Sequence, residues 1–315
     1  MSATHADAKK RRVVEGAIRI EAKETTLDTV IEEHDVIVTR LHRHEPPVPD
    51  TPVVVLSVEE GFVVVDKPAG VPVHPTGRYN KNTVVSILET EQGLRRLKPL
   101  YRLDKNTSGV LLFADNPATA RSFQAALARR DSAIGKVYLA RVVGRFPERL
   151  EVDRPIALVR FGTEAQNACR DDGVPARSSF ERVLYDEASD TSVVRCVPHT
   201  GRTHQLRLHL QSCGHPICND ASYLLHQIHK PRTPDGDVAR ETALRQTHGW
   251  DFDPHCPDCL DPKGDPLDHS IWLHAVEYRY GTHVWSTPPP PFSLPDFPVR
   301  QHLETFSQLH GTPPP

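Results

Sequence analysis

No apolar run in this 315-residue sequence is long enough for a signal peptide or a membrane span. A strong excess of either charge is also missing. The formal net charge is −3, which excludes the global basic field that many nucleic-acid binders carry, so any contact with RNA has to rest on local patches. Cysteine is sparse. Six residues, at positions 169, 196, 213, 218, 256 and 259, do not make a disulfide framework in a chain this long. A reducing, intracellular compartment is therefore expected, the cytoplasm first, with the mitochondrion and the nucleus as alternatives. No membrane partner is expected. Proline, by contrast, is plentiful at 29 residues and gathers at element boundaries and the C-terminus. The length leaves room for one large domain and a small one.

The stretch LYRLDKNTSGVLLFA, residues 100–114, is the one around which the rest is organised. Arg95, Arg96, Lys98 and Arg102 lead into it, and Asp104 is the one carboxylate among those charges. A polar turn follows. Then Val110, Leu111, Leu112, Phe113 and Ala114 form a short apolar run bounded by Gly109 and Asp115, the pattern of a buried strand. A charged loop directly before a buried strand is held still by that strand, which suits chemistry. The plain alternative for Asp104 is a turn residue that caps backbone N–H groups.

Residues 1–12 are polar, end in Lys9-Lys10-Arg11-Arg12 and are expected as a disordered basic tail. Residues 13–48 read as a small module and linker, with short strands at 18–20, 25–30 and 35–38 and a basic cluster of Arg40, His42, Arg43 and His44. Strands are expected at 53–57 and 62–66, then a sharp turn at Asp66-Lys67-Pro68-Ala69-Gly70, and a helix over 83–91 with Val84, Ile87 and Leu88 inward. A second helix is signposted by a cap at Asp115 or Asn116, Pro117 in its first turn and a stripe of Phe123, Ala126 and Leu127. Arg121, Arg129 and Arg130 make its outer face basic, either simply solvated or in contact with phosphates.

A strand is expected at 136–143, containing Tyr138, and a hairpin from 178–184 and 191–197. In THQLRLHL, Thr203 is expected to cap a helix that Gly214 stops, with Leu206 and Leu210 one turn apart. The histidines at 204, 209 and 215 fit no common zinc spacing. Residues 224–268 look like an insertion. Their Cys256 and Cys259 form one C-x-x-C beside His255, short of a closed four-ligand site, so ordinary thiols are expected and structural zinc is the lesser alternative. Residues 270–280 alternate as a last strand, and 287–315 read as a Pro-rich tail, extended or disordered.

Four stretches resemble signatures of the RluA-type pseudouridine synthase family: RLDKNTSGV, VVVDKPAGVPVHP, KVYLARV and GRTHQLRLH with the following GHPI. They stand in the family's order across residues 53–285. Tyr101 and Asn219 depart from it, at positions where the family usually has His and Gly. The segment before the linker resembles a truncated alpha-L RNA-binding motif, and HRHEPPV resembles a linker of a eukaryotic branch acting on tRNA.

The resemblance implies an α+β fold, a mostly antiparallel, bifurcated mixed sheet with flanking helices, over residues 49–286. It implies isomerisation of uridine to pseudouridine in RNA, tRNA first and rRNA second, leaning to the 5′ side of the anticodon loop, without a metal or cofactor; a monomer is the expected state. Asp104 is the implied catalytic carboxylate and Arg207 its ion-pair partner, so that losing Arg207 inactivates as fully as losing Asp104. Tyr138 is implied to stack on the uracil and to share in removing the C5 proton, and Arg102 to displace the target nucleotide or hold a phosphate. Two rivals are weaker. A glycosidase normally flanks its bond with two carboxylates, and this motif offers one. A catalytically inactive RNA-binding protein of the same fold would have been betrayed by replacement of Asp104, which is present.

Overall fold

The computed structural model describes residues 10, 12–21, 23–39, 45–129, 133–161, 164–224 and 270–310. They fall into two units that divide at Glu45. In the smaller unit β1 (Ile18–Ile20) pairs antiparallel with β2 (Ile37–Thr39), matching two of the expected strands. Residues 25–30, expected as a third, are turn and coil. There the Thr29 hydroxyl accepts from the Thr26 N–H, and such local bonds compete with a strand ladder. The basic cluster at 40–44, the insertion beyond Leu224 with Cys256 and Cys259, and all of the tail 1–12 except Lys10 and Arg12 lie outside the described residues.

In the larger unit β3 (Val54–Glu59) and β4 (Phe62–Lys67) form a hairpin. Its two turn residues, Glu60 and Gly61, both have positive φ, 49° and 84°, the backbone twist that two-residue hairpins favour. Helix α1 (Val84–Gln92) starts where the Thr83 side chain accepts from the Ser86 N–H and ends at Gly93 with φ 69°, the cap pair that suits each end. β5 (Lys98–Pro99) and β6 (Ser108–Ala114) bracket the Asp104 loop. Helix α2 (Pro117–Ala128) has the expected Asn116 cap and Pro117 start, and buries Phe123 completely, a contribution of about 1.5–3 kcal/mol.

Then follow β7 (Ile134–Val143), β8 (Arg149–Asp153), β9 (Ile156–Phe161), β10 (Glu164–Cys169), β11 (Arg177–Asp186) and β12 (Thr191–Pro198). Helices α3 (Gln205–Ser212) and α4 (Ala221–Leu224) precede β13 (Leu273–Tyr280) and β14 (His283–Ser286). The described residues end in a 3-10 turn at Pro291–Ser293 and helix α5 (Val299–His310). The main sheet has ten strands in the order β3-β4-β6-β13-β7-β12-β11-β8, with β5 on β6 and β14 on β13. This is the expected α+β fold with a mostly antiparallel sheet. Among the described residues its one parallel pair is β6 with β13. β13 lies in the middle of the sheet and joins the two halves.

Gly109 makes that junction possible. It has φ 111°, and a Cβ there would sit 2.2 Å from the Ala275 carbonyl oxygen, so only glycine fits. β4 and β6 are covered on both faces. Val63, Val65, Leu111 and Phe113 pack into one cluster and Phe62, Val64, Val110 and Leu112 into another, which is why these strands read as unbroken apolar runs.

The end of the chain corrects the expectation of a bare tail. Phe292, Val299 and Leu303 join the main core and Phe306 is buried beside them. Among the described residues no helix is long and apolar enough to cross a membrane.

Candidate active site

Asp104 sits in the loop between β5 and β6, and the loop is fastened from three sides. Leu100 and Leu103 are buried and anchor it in the two core clusters. The Lys105 carbonyl accepts from the Gly70 N–H and from the Lys67 ammonium. The Asn106 carbonyl accepts from the Ile271 N–H, just before β13. Lys67 is fully buried, and its three N–H groups go to the carbonyls of Pro68, Val71 and Lys105. Burial pulls its pKa down to about 7, against the charges of Asp104 and Asp66. The turn at Asp66–Gly70 is therefore a clamp: its lysine binds the Asp104 loop through a backbone oxygen.

Facing that loop stands α3, built from the GRTHQLRLH stretch. Gln205 and His209 fix it from inside. Gln205 donates to the Arg177 carbonyl and the Ser178 hydroxyl and accepts from the Thr200 hydroxyl. His209 bonds to Ser178 and to the Arg154 carbonyl. Thr203 does not cap the helix, contrary to expectation. The cap residue is His204, in the left-handed region at φ 57°, with no side-chain cap bond. A non-glycine residue held there costs about 1–3 kcal/mol, and such strain gathers at functional sites.

Arg207 does face Asp104, with Nη1 3.6 Å from Oδ2. Its chief partner is another carboxylate. Nε and Nη2 donate to the two oxygens of Asp220 at 2.6 and 2.8 Å, a two-pronged pair that is almost wholly buried. Burial opposes the Arg207 charge, but Asp220, with Asp104 behind it, outweighs that and raises its pKa above the ordinary value. Tyr223 covers the guanidinium with its ring, 4.7 Å from ring centroid to Cζ. His204 also reaches the site: Nε2 lies 3.8 Å from Asp104 Oδ2, and Nδ1 lies 2.7 Å from the Tyr223 hydroxyl oxygen. Asp220, Tyr223 and His204 were not singled out from the sequence as site residues. The signal available for His204 and Asp220 was their place in the GRTHQ and GHPICND stretches, and Tyr223, three residues past the second, had none.

Tyr138 lies on β7, opposite Cys196 of β12 and Ala275 of β13, and is buried. Burial raises the pKa of its phenol, and the Asp104 charge adds to that. Tyr101 stacks on Tyr278 at 4.6 Å and donates to the Val110 carbonyl, while Lys136 lies over its ring at 4.7 Å. Asn219 bonds the Ser270 carbonyl and the Trp272 N–H, pinning the chain as it enters β13. Arg102 is exposed on the same loop as Asp104. Of the four residues singled out, Asp104 and Arg207 meet directly, Tyr138 feels the Asp104 charge, and Arg102 stands toward solvent. Among the described residues no group of three or more His, Cys, Asp or Glu side chains is placed to hold a metal ion.

Residues 61–212 match the family model described as RNA pseudouridylate synthase. The chain is 38% identical over 287 residues to RNA pseudouridine synthase 7 of Arabidopsis thaliana, covering 84% of this chain and 72% of that one. It is 40% identical over 297 residues to a Saccharomyces cerevisiae protein named tRNA pseudouridine(32) synthase, mitochondrial. That match covers 86% of this chain and 63% of the yeast protein. A solved structure titled Human RNA Pseudouridylate Synthase Domain Containing 1 superposes with a TM-score of 0.54 at 25% identity, covering 85% of this chain and 99% of that one.

Proposed function

The chain belongs to the RNA pseudouridylate synthase family, and from that premise we propose that it isomerises a uridine of tRNA to pseudouridine with Asp104 as the catalytic carboxylate. One observation carries the assignment of Asp104: Arg207 is locked onto Asp220 on one side and presents its remaining nitrogen to Asp104. A guanidinium so held is a preset positive charge beside a half-buried carboxylate.

In the reaction the C1′–N1 bond of uridine breaks, the uracil turns, and C1′ bonds to C5. C5 loses a proton and N1 gains one, so the atoms balance without redox change or group transfer and no cofactor is called for. Asp104 works beside the ribose, by attack or by taking a proton. Tyr138 offers an aromatic face to the uracil. Its raised pKa keeps the phenol protonated near neutrality, which favours stacking over service as the base for C5. Arg102, exposed on the Asp104 loop, is free to meet a phosphate or the displaced nucleotide.

The tRNA assignment draws on the printed name of the yeast relative, which specifies position 32 of tRNA, and on the resemblance of HRHEPPV to a tRNA-acting branch. We take the working unit to be a monomer in the cytoplasm, while the same relative's name says mitochondrial. The test is incubation of purified protein with unmodified tRNA transcripts and rRNA fragments, followed by pseudouridine mapping. Pseudouridine in the tRNA anticodon loop supports the reading. Modification confined to rRNA overturns the choice of substrate.

A further inference from the structure

His204 and Tyr223 form a unit that the reaction outlined above leaves unused. The two ring nitrogens of His204 have different neighbours: Nδ1 is 2.7 Å from the Tyr223 hydroxyl oxygen and Nε2 is 3.8 Å from Asp104 Oδ2. The rings of His204 and Tyr223 meet edge to face at 5.6 Å. The same Tyr223 ring covers Arg207. Tyr223 therefore touches both groups that face the carboxylate.

The protonation pattern follows from the partners. A carboxylate only accepts, so the tautomer that suits the 3.8 Å approach has its hydrogen on the nitrogen toward Asp104. Nδ1 is then left with a lone pair and accepts from the Tyr223 O–H. Burial pushes the Tyr223 phenol up to about 12, against the pull of Arg207, so it keeps the proton it donates. The groups around His204 are Asp104 from the loop before β6, Arg207 on its own helix, and Asp220 and Tyr223 from the segment after it. Burial and Arg207 lower the pKa of His204, Asp104 and Asp220 oppose them, and the net shift is downward, toward the neutral ring.

We propose that Tyr223 and His204 are a positioning pair: Tyr223 fixes the imidazole with its proton on Nε2, and His204 steers the Oδ2 oxygen of Asp104 toward the ribose. This rests on the isomerase reading of the same site. Protonation of His204 would turn the 3.8 Å approach into a second ion pair that holds Oδ2 away from the ribose of bound RNA.

The experiment compares kcat and KM of wild type, Tyr223→Phe, His204→Gln and His204→Ala between about pH 5.5 and about pH 8 on an RNA that the wild type modifies. Tyr223→Phe keeps the ring on Arg207 but loses the O–H that only a neutral Nδ1 accepts. It is expected to lower kcat about 10-fold at the acid end with KM unchanged, moving the acid limb to higher pH. His204→Ala is expected to lose about 100-fold in kcat, and His204→Gln to regain about 10-fold of that, because its amide N–H takes the place of Nε2–H. Nitrogen-15 shifts of the wild-type imidazole, assigned with the His204→Gln spectrum, are expected to show Nε2 protonated.

A wild-type acid limb in Tyr223→Phe, equal rates for the alanine and glutamine variants, or a proton on Nδ1 would each overturn the pair while leaving the enzyme standing. A wild type that makes no pseudouridine in any RNA overturns the isomerase reading and this inference with it.

Discussion

Replacing Asp220 with Asn tests how the site is held. The side chain keeps its shape and one oxygen but loses its charge, and a guanidinium with only 6% of its side chain exposed loses its two-pronged partner. Removing one partner of a buried ion pair costs about 3–5 kcal/mol. One hydrogen bond survives in Asn, so the lower end applies, about 3 kcal/mol. For a domain of this size that is a fall in Tm of about 6–12 °C. The chemistry suffers separately. The nearest remaining carboxylate to Arg207 is Asp104, at 3.6 Å, and a freed guanidinium closes on it and occupies the oxygen that must meet the ribose. We expect kcat to fall about 100-fold while RNA is still bound. Thermal unfolding by circular dichroism and pseudouridine formation on one preparation read both effects. A Tm within about 1 °C of wild type together with kcat within about 2-fold would refute the view that Asp220 sets Arg207.

Three further outcomes are expected. Lys67→Met takes the ammonium from the carbonyls of Pro68, Val71 and Lys105, of which Lys105 keeps the Gly70 N–H, so urea unfolding should show a loss of about 2–4 kcal/mol, with activity falling because one of the ties on the Asp104 loop is gone. His274 is buried between Ser108 and Thr287, and burial lowers its pKa from 6.5 to about 4. The unfolded chain therefore binds this proton first as pH falls. The stabilisation is whole above the unfolded value of 6.5 and is lost on acidification toward about 4, to a total of about 3 kcal/mol, and His274→Gln should flatten that part of the stability–pH curve measured in urea. Leu303→Ala in α5 should cost about 2–5 kcal/mol in the same unfolding assay. Stability equal to wild type would mean that the C-terminal helix is no part of the core.

The elements most legible in the sequence are those written locally. Asn116 caps its helix and Pro117 opens it as expected, the helix expected from 83 starts one residue later with Thr83 as its cap, and the paired runs at 178–184 and 191–197 make the β11–β12 hairpin. Asp104 was marked by a charged turn abutting a buried strand, but only the resemblance of RLDKNTSGV to a family signature set it above an ordinary turn residue. Its surroundings were not so marked. Asp220 lies thirteen residues beyond Arg207 and past the end of α3, so no helical spacing links them, and only the return of the chain into α4 makes them partners. His204 was hidden for a different reason: a left-handed cap residue is unusual for histidine, and Thr203 beside it is the better cap by residue type. The central place of β13 comes from strand order, which periodicity does not encode. At the C-terminus the signal was present but masked. Val299, Leu303 and Phe306 stand at helical spacing and are buried, while the prolines around them read as a tail.

The most direct test of the central claim is pseudouridine mapping on total unmodified cellular RNA incubated with wild type or with Asp104→Ala, with RNA binding measured on both. Asp104 lies in a loop tied to Lys67 and Gly70 through the Lys105 carbonyl, so truncating its side chain should leave fold and binding intact. The account expects a new pseudouridine made by the wild type alone, with equal RNA affinity in the two proteins. Pseudouridine made equally by Asp104→Ala would contradict the role given to this carboxylate. Tight RNA binding by the wild type with no pseudouridine in any RNA would contradict the enzyme itself.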